Sequence, residues 1–158
     1  MPKTATARKT AGVSRAKVAI PADARFTLTP AKTGYVTHDR HTGLDWSHTI
    51  LGRSVRHEGA QGLVDSLNTD QHGGHSDWRL PTVEELFLIA DRTKARPAID
   101  TEVFPDTKSD WYWTASSVAG YPALAWFVYF HGGYALWGYR NFVAFVRGVR
   151  GSSARASQ

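Results

Sequence analysis

The chain of 158 residues contains no cysteine. That one absence removes a disulfide framework, a zinc ribbon and thiol catalysis together. No apolar run approaches the roughly 20 residues that a membrane-spanning helix needs. The first twenty residues contain no acid, and no apolar stretch follows their positive charges, so they do not read as a secretory signal. They hold Lys3, Arg8, Lys9, Arg15 and Lys17, while the other fourteen basic residues balance the fourteen acidic ones. The formal net charge of +5 therefore sits in the N-terminal arm. The remainder has no overall basic bias with which to hold phosphates, and the arm's dispersed charges lack interleaved aromatics. Nucleic acid is not an expected partner.

What is present is core-forming: 42% hydrophobic and 12% aromatic residues, six of them Trp. This length suits a single domain. Tyr and Trp want a polar partner when buried, so part of this aromatic content is expected on display. Three regions follow: a flexible or docking arm over residues 1–25, a folded domain over 26–150, and a small polar tail over 151–158.

Periodicity orders the elements. Short strand-like runs over residues 34–37 and 43–46 come first. Ala60, Leu63, Val64 and Leu67 then fall at i, i+3, i+4 and i+7, the stripe of an amphipathic helix. A Gly/His/Asp loop over residues 70–77 leads to a second helix, over residues 83–92. Its start is marked by Thr82 and Glu85, spaced as a capping box, and Leu86, Ile89 and Ala90 supply its apolar face. From Trp111 onward the pattern is strand-like. Trp126, Val128 and Phe130 alternate with Phe127, Tyr129 and His131, Gly132-Gly133 punctuates, and residues 142–150 (FVAFVRGVR) form a last strand. Two helices with an antiparallel meander make an α+β domain.

Six blocks occur in order: residues 38–46 (HDRHTGLDW), 73–86 (GGHSDWRLPTVEEL), 99–105 (IDTEVFP), 111–117 (WYWTASS), 125–130 (AWFVYF) and 146–150 (VRGVR). Together they resemble the C-terminal domain family of Legionella collagen-like adhesins, over residues 34–150. The resemblance implies a C-type-lectin-like fold with paired N- and C-terminal strands and a ligand-binding role. It also implies relatives in phage tails and among the variable proteins of diversity-generating retroelements. Gly148 stands where many members have Cys. On the fold expectation, the strand near residues 34–37 lies antiparallel to the one near 142–149.

Each conspicuous motif has an architectural reading. Trp78 belongs in the core, with Asp77 and Arg79 bonding loop backbone or each other. Arg147 and Arg150 clamp backbone or carboxylates, with ligand contact as the alternative. His38/His41 and His72/His75 form two short loop pairs, which fall short of the three or four ligands of a zinc site. No Asp-rich loop of the EF-hand type is present. No cofactor is expected, and calcium stays open only because C-type-lectin-like domains sometimes hold it. There is no GxSxG elbow, and acids at a helix start, such as Glu84 and Glu85, suit the dipole. The chain is expected not to be an enzyme.

The strongest functional candidate is the stretch over residues 121–141. If Trp126, Val128 and Phe130 face the core, Phe127, Tyr129 and His131 face away. Tyr121, Tyr134, Trp137, Tyr139, Arg140 and Asn141 complete the expected ligand surface. Tyr and Trp give large contact area at low entropic cost. The alternative places these rings in the core or at a subunit interface.

The expected protein is thus a ligand-display module, a receptor-binding or host-attachment component of a phage-like particle that recognises a surface glycan or protein. It is expected as a homo-oligomer, a trimer by preference, assembled in the cytoplasm into a virion, with the arm docking on another virion protein. A capsid or tail decoration protein, or a cellular retroelement-diversified binding protein, is the alternative.

Overall fold

The computed structural model describes residues 19–152. The described residues form two antiparallel sheets, two α-helices and a short 3-10 turn over His72–Gly74. The first sheet contains β1 (Phe26–Pro30), β2 (Tyr35–Asp39), β3 (Leu44–Ser47) and β7 (Val149–Arg150), in that spatial order. The second is the meander β4 (Trp111–Val118), β5 (Tyr121–Tyr129) and β6 (Tyr134–Tyr139). Between them come α1 (His57–Thr69) and α2 (Val83–Leu88).

α1 buries Ala60 and Val64, with Leu63 and Leu67 partly buried beside them, as the helical spacing requires. The start of α2 is the expected capping box: Thr82 Oγ1 accepts from the Glu85 amide at 3.2 Å, and the Thr82 amide donates to Glu85 Oε2 at 2.9 Å. The helix is shorter than the apolar spacing suggested, ending at Leu88 rather than near residue 92. The Asp91 amide turns away to the Ala98 carbonyl, and the Asp91 side chain accepts from the Thr93 amide. Both bonds compete with continued helix.

Both faces of the second sheet are covered along β4 and the middle of β5. Tyr112 and Val128 join Leu86, Ile89 and Phe104 in one core on the α2 side. Trp113, Ala125 and Phe127 join Ala60, Val64, Trp78 and Val146 in a second core on the α1 side. Cross-strand partners share a face. Trp111, Phe127, Tyr129, Tyr134, Leu136 and Gly138 therefore lie on the α1 side, and Trp126 and Trp137 on the α2 side.

The C-terminal stretch corrects two expectations. The expected partner of the last strand was the segment near residues 34–37, but β2 is already flanked by β1 and β3, and β7 pairs with β3 instead. Residues 142–150 are also not one strand. Ala144 pairs with Val55, Phe145 with the β4 backbone, and the Val146 and Gly148 carbonyls accept from Leu51 and Ser47. The stretch laces the two sheets together. At Gly148 an added Cβ would stand 2.7 Å from Leu67 Cδ1, so the α1 leucine occupies the space a larger residue would need.

β1 carried no sequence signal in this reading. It adds to the sheet because Phe26 packs edge-on against Phe104 and Arg25 chelates the buried Asp39 carboxylate through two hydrogen bonds, of 2.9 and 2.7 Å. The expected arm falls mostly on residues 1–18, outside the described residues. Within it, Ile20 packs against the α2-side core.

The charged motifs knot the chain internally. Arg79 forms a two-pronged pair with Glu85 at 2.8 and 2.7 Å. Burial alone would raise the Glu85 pKa, but the Arg79 bonds and the Thr82 amide hold it below the ordinary value. Arg150 bonds Asp77 and Asp45. Arg147 is fully buried, donating to the Ser47 and His48 carbonyls at 2.6 and 2.8 Å and to Thr107 at 3.0 Å. Trp78 is in the core with its indole N–H on the His72 carbonyl. Asp77 and Arg79 do not bond each other: each takes a partner from another segment.

Candidate ligand-binding site

The α1-side face of the second sheet runs out from under its core into a ladder of rings. Trp113 and Phe127 stand 5.8 Å apart, Phe127 and Trp111 4.1 Å, Trp111 and Tyr129 4.9 Å. Tyr129 then stacks on His131 and meets Tyr134 edge-on, both at 5.4 Å. Gly138 permits this close approach: a Cβ there would lie 2.6 Å from the Phe127 ring and 3.4 Å from Phe142.

Beside the ladder lies a cleft of about 520 Å³, lined by Asp110, Trp111, Trp113, Phe127 and residues 141–144. Its volume falls within the range of small-molecule sites. Phe142 and Val143 form one wall and are 55% and 60% exposed. Exposed apolar side chains clustered around a cleft mark an interaction surface more specifically than scattered ones do.

This geometry redistributes the expected surface residues. Phe127 was expected to face outward but is buried, at 1% exposure. Period-two alternation implies a solvated face only when one face is solvated, and here both are covered at that position. Phe127 is the floor of the cleft. Tyr129, His131 and Tyr134 form the ladder, and Asn141 lines the cleft. Tyr139 reaches Phe142 at 5.8 Å. Trp137, 54% exposed, lies on the opposite face of β6, opposite Trp126. Tyr121 is exposed at the start of β5, beside Val118 rather than at the cleft. The expected set is split between two faces and a hairpin end. Phe142, Val143 and Trp111 were missing from it, the first two because an apolar run ending in VRGVR reads as a core strand.

Residues 35–150, well over half of the chain, match the family model described as the Lcl C-terminal domain. The chain belongs to that family. Membership makes this Lcl C-terminal domain an adhesin-like module suited to binding external ligands. No curated protein matches the chain.

Arg140 is engaged inside the domain. Its guanidinium donates to the Pro122 carbonyl at 3.0 Å and to Ser117 Oγ at 3.1 Å, and lies across the His57 ring, 2.7 Å from Nδ1 and 3.4 Å from Nε2. His57 Nε2 faces the Thr114 carbonyl at 2.9 Å. Burial first, and the neighbouring Arg140 charge second, push the His57 pKa below 6.5.

Among the described residues no group of three or more His, Asp or Glu side chains is placed to hold a metal ion. His38 is bonded to Asp45 at 2.7 Å, and His72 meets the Tyr35 carbonyl at 3.2 Å. Among those residues no helix is long and apolar enough to cross a membrane.

Proposed function

We propose that this Lcl C-terminal domain is a non-enzymatic ligand-display module whose contact surface is the aromatic cleft and ladder from Trp111 to Phe142. The observation that carries the reading is the contrast between the charged motifs, which are engaged within the fold, and Phe142, Val143 and Tyr134 at the cleft and ladder, which are left exposed. Aromatic faces stack on sugar rings or on apolar side chains, so a surface glycan or protein receptor suits the cleft. Asp110 and Asn141 at its rim supply polar atoms for orientation.

The architecture is read as C-type-lectin-like, supported by the antiparallel pairing of β7 with the N-terminal sheet and by the adhesin family. No cofactor is invoked. Attachment of a phage-like particle to its host is the finer assignment, with the domain carried in the virion. Copies in a homo-oligomer, a trimer by preference, would convert modest single-site affinity into avidity. The basic arm would dock on another assembly protein.

The test is binding of the purified chain to a glycan array and to candidate host cells. Parent and a Trp111→Ala variant are compared after thermal unfolding has established that both fold. The variant is expected to lose about tenfold or more in affinity, as for a central anchor. A folded variant that binds like the parent would remove the cleft from the function and favour a structural decoration protein.

A further inference from the structure

The His57 ring is held between a carbonyl and a guanidinium. Nε2 faces a carbonyl, Thr114 O at 2.9 Å, and must carry a hydrogen to bond it. The Arg140 guanidinium lies across the ring, with its Nη1 2.7 Å from Nδ1 and 3.4 Å from Nε2. The Thr114 carbonyl fixes a hydrogen on Nε2, and the guanidinium across the ring favours the neutral imidazole. A proton on Nδ1 would place a cation directly against the Arg140 cation.

The charged groups bordering this ring are few. Arg56 and Glu58 flank it at the start of α1, and Arg140 faces it from the end of β6. β4 offers the Trp113 ring, edge-on at 5.0 Å, and the Thr114 carbonyl, and neither titrates as an acid. Glu58 makes no ion pair with His57, so Arg140 is the charge in direct contact.

What Arg140 holds is the wall of the cleft. Its side chain ties β4 through Ser117 and the β4–β5 hairpin through Pro122, while its carbonyl accepts from the His57 amide at 3.0 Å. The next three residues, Asn141, Phe142 and Val143, line the cleft, and Asn141 also borders the hollow at His57. On the other side, Trp113 packs on His57 and lines the same cleft. One imidazole therefore touches the binding surface from two directions.

We infer that His57 is a proton-operated clamp: uptake of a proton expels the Arg140 side chain, and the wall formed by residues 141–143 loosens. This regulation rests on the cleft reading for its purpose but not for its physics, because it operates in the ligand-free chain. The depressed pKa of His57 agrees with a ring built to stay neutral until the medium turns acidic.

The experiment is NMR on the ligand-free chain, labelled with nitrogen-15, at about pH 7.5 and about pH 5. It reads the His57 tautomer, the Arg140 Nε–H signal and amide exchange over residues 139–143, corrected for intrinsic rates. At the higher pH the Nε2–H tautomer is expected. On acidification, exchange in the wall should accelerate by roughly fivefold or more, as for a local opening, while β4 and β5 stay protected. His57→Gln can donate to Thr114 and accept from Arg140 without titrating, so it should lose the acid response. Wall exchange that ignores pH, or an acid response that persists in His57→Gln, would overturn the clamp. If His57→Gln does not fold, an Nδ1–H tautomer or an unshifted pKa in the parent would overturn it equally. A cleft that proves not to bind, with the clamp intact, would sink only the functional reading.

Discussion

The charged motif region and the aromatic region of this domain use their conspicuous residues in opposite ways. Around Asp77, Arg79, Glu85, Arg147 and Arg150, nearly every charge has found a partner inside the fold. Around the cleft, Phe142 and Val143 stay exposed although apolar. Charge attracts attention in a sequence, yet here it is mortar. On the proposed reading, the contact surface is instead built around side chains that the fold leaves exposed, Phe142 and Val143 among them. The ladder is anchored at its buried end by Phe127 and Trp113, so the exposed rings stand on a rigid base rather than on a loop.

Four perturbations would break or sharpen that contrast. The largest effect is expected from Arg147→Ala, which strands two carbonyls and Thr107 in the interior. It should destabilise by about 3–5 kcal/mol in urea unfolding, as when one side of a buried charged network is removed. Phe127→Ala, at the junction of the two regions, should cost roughly 3–5 kcal/mol through the cavity it leaves and weaken binding as well. Glu85→Ala removes both a cap and an ion pair and should cost about 2 kcal/mol, again by urea unfolding. Phe142→Ala should change stability by less than about 0.5 kcal/mol, as for a surface site. A large stability loss there would mean that the exposed wall is structural, and the contrast would fail.

Acid should act on both regions in sequence. His57 and His48 have pKa values lowered chiefly by burial. The unfolded chain therefore takes up protons first, and stability begins to fall as pH drops below 6.5. Glu85 and Asp39 are held below their ordinary values of 4.5 and 3.8 despite burial, by Arg79 and Arg25. Their stabilisation is fully present above those values and is lost as pH falls through the lower folded ones. Thermal unfolding across the acidic range should show two successive losses, and His57→Gln should shrink the first. A midpoint that rose on acidification would contradict the sign.

The elements that could be read from the sequence were those with a local signature. The capping box fixed the start of α2 because Thr82 and Glu85 meet within one turn. The α1 stripe and the β5 alternation likewise need no knowledge of the rest of the chain. The misreadings share one cause: a period reports burial but not the partner. Residues 142–150 read as one apolar strand, yet they lace two sheets. Phe127 looked outward because alternation cannot tell that a second core covers the other face. His57 and Arg140 are 83 residues apart, and nothing local announces their bond. Phe142 and Val143 escaped notice because an apolar pair next to a core-like run carries no mark of exposure.

The most direct test of the cleft as contact surface compares the two faces of β6 and its following turn in one binding experiment. Phe142→Ala with Val143→Ala removes the cleft wall, whereas Trp137→Ala with Trp126→Ala strips the opposite face. Binding to the best responder on the glycan array, or to host cells, is measured for both folded double variants. The cleft pair is expected to lose about a hundredfold, the sum of two anchors, and the opposite pair less than about threefold. The reverse order would place the contact surface on the α2 side of the sheet and contradict the account.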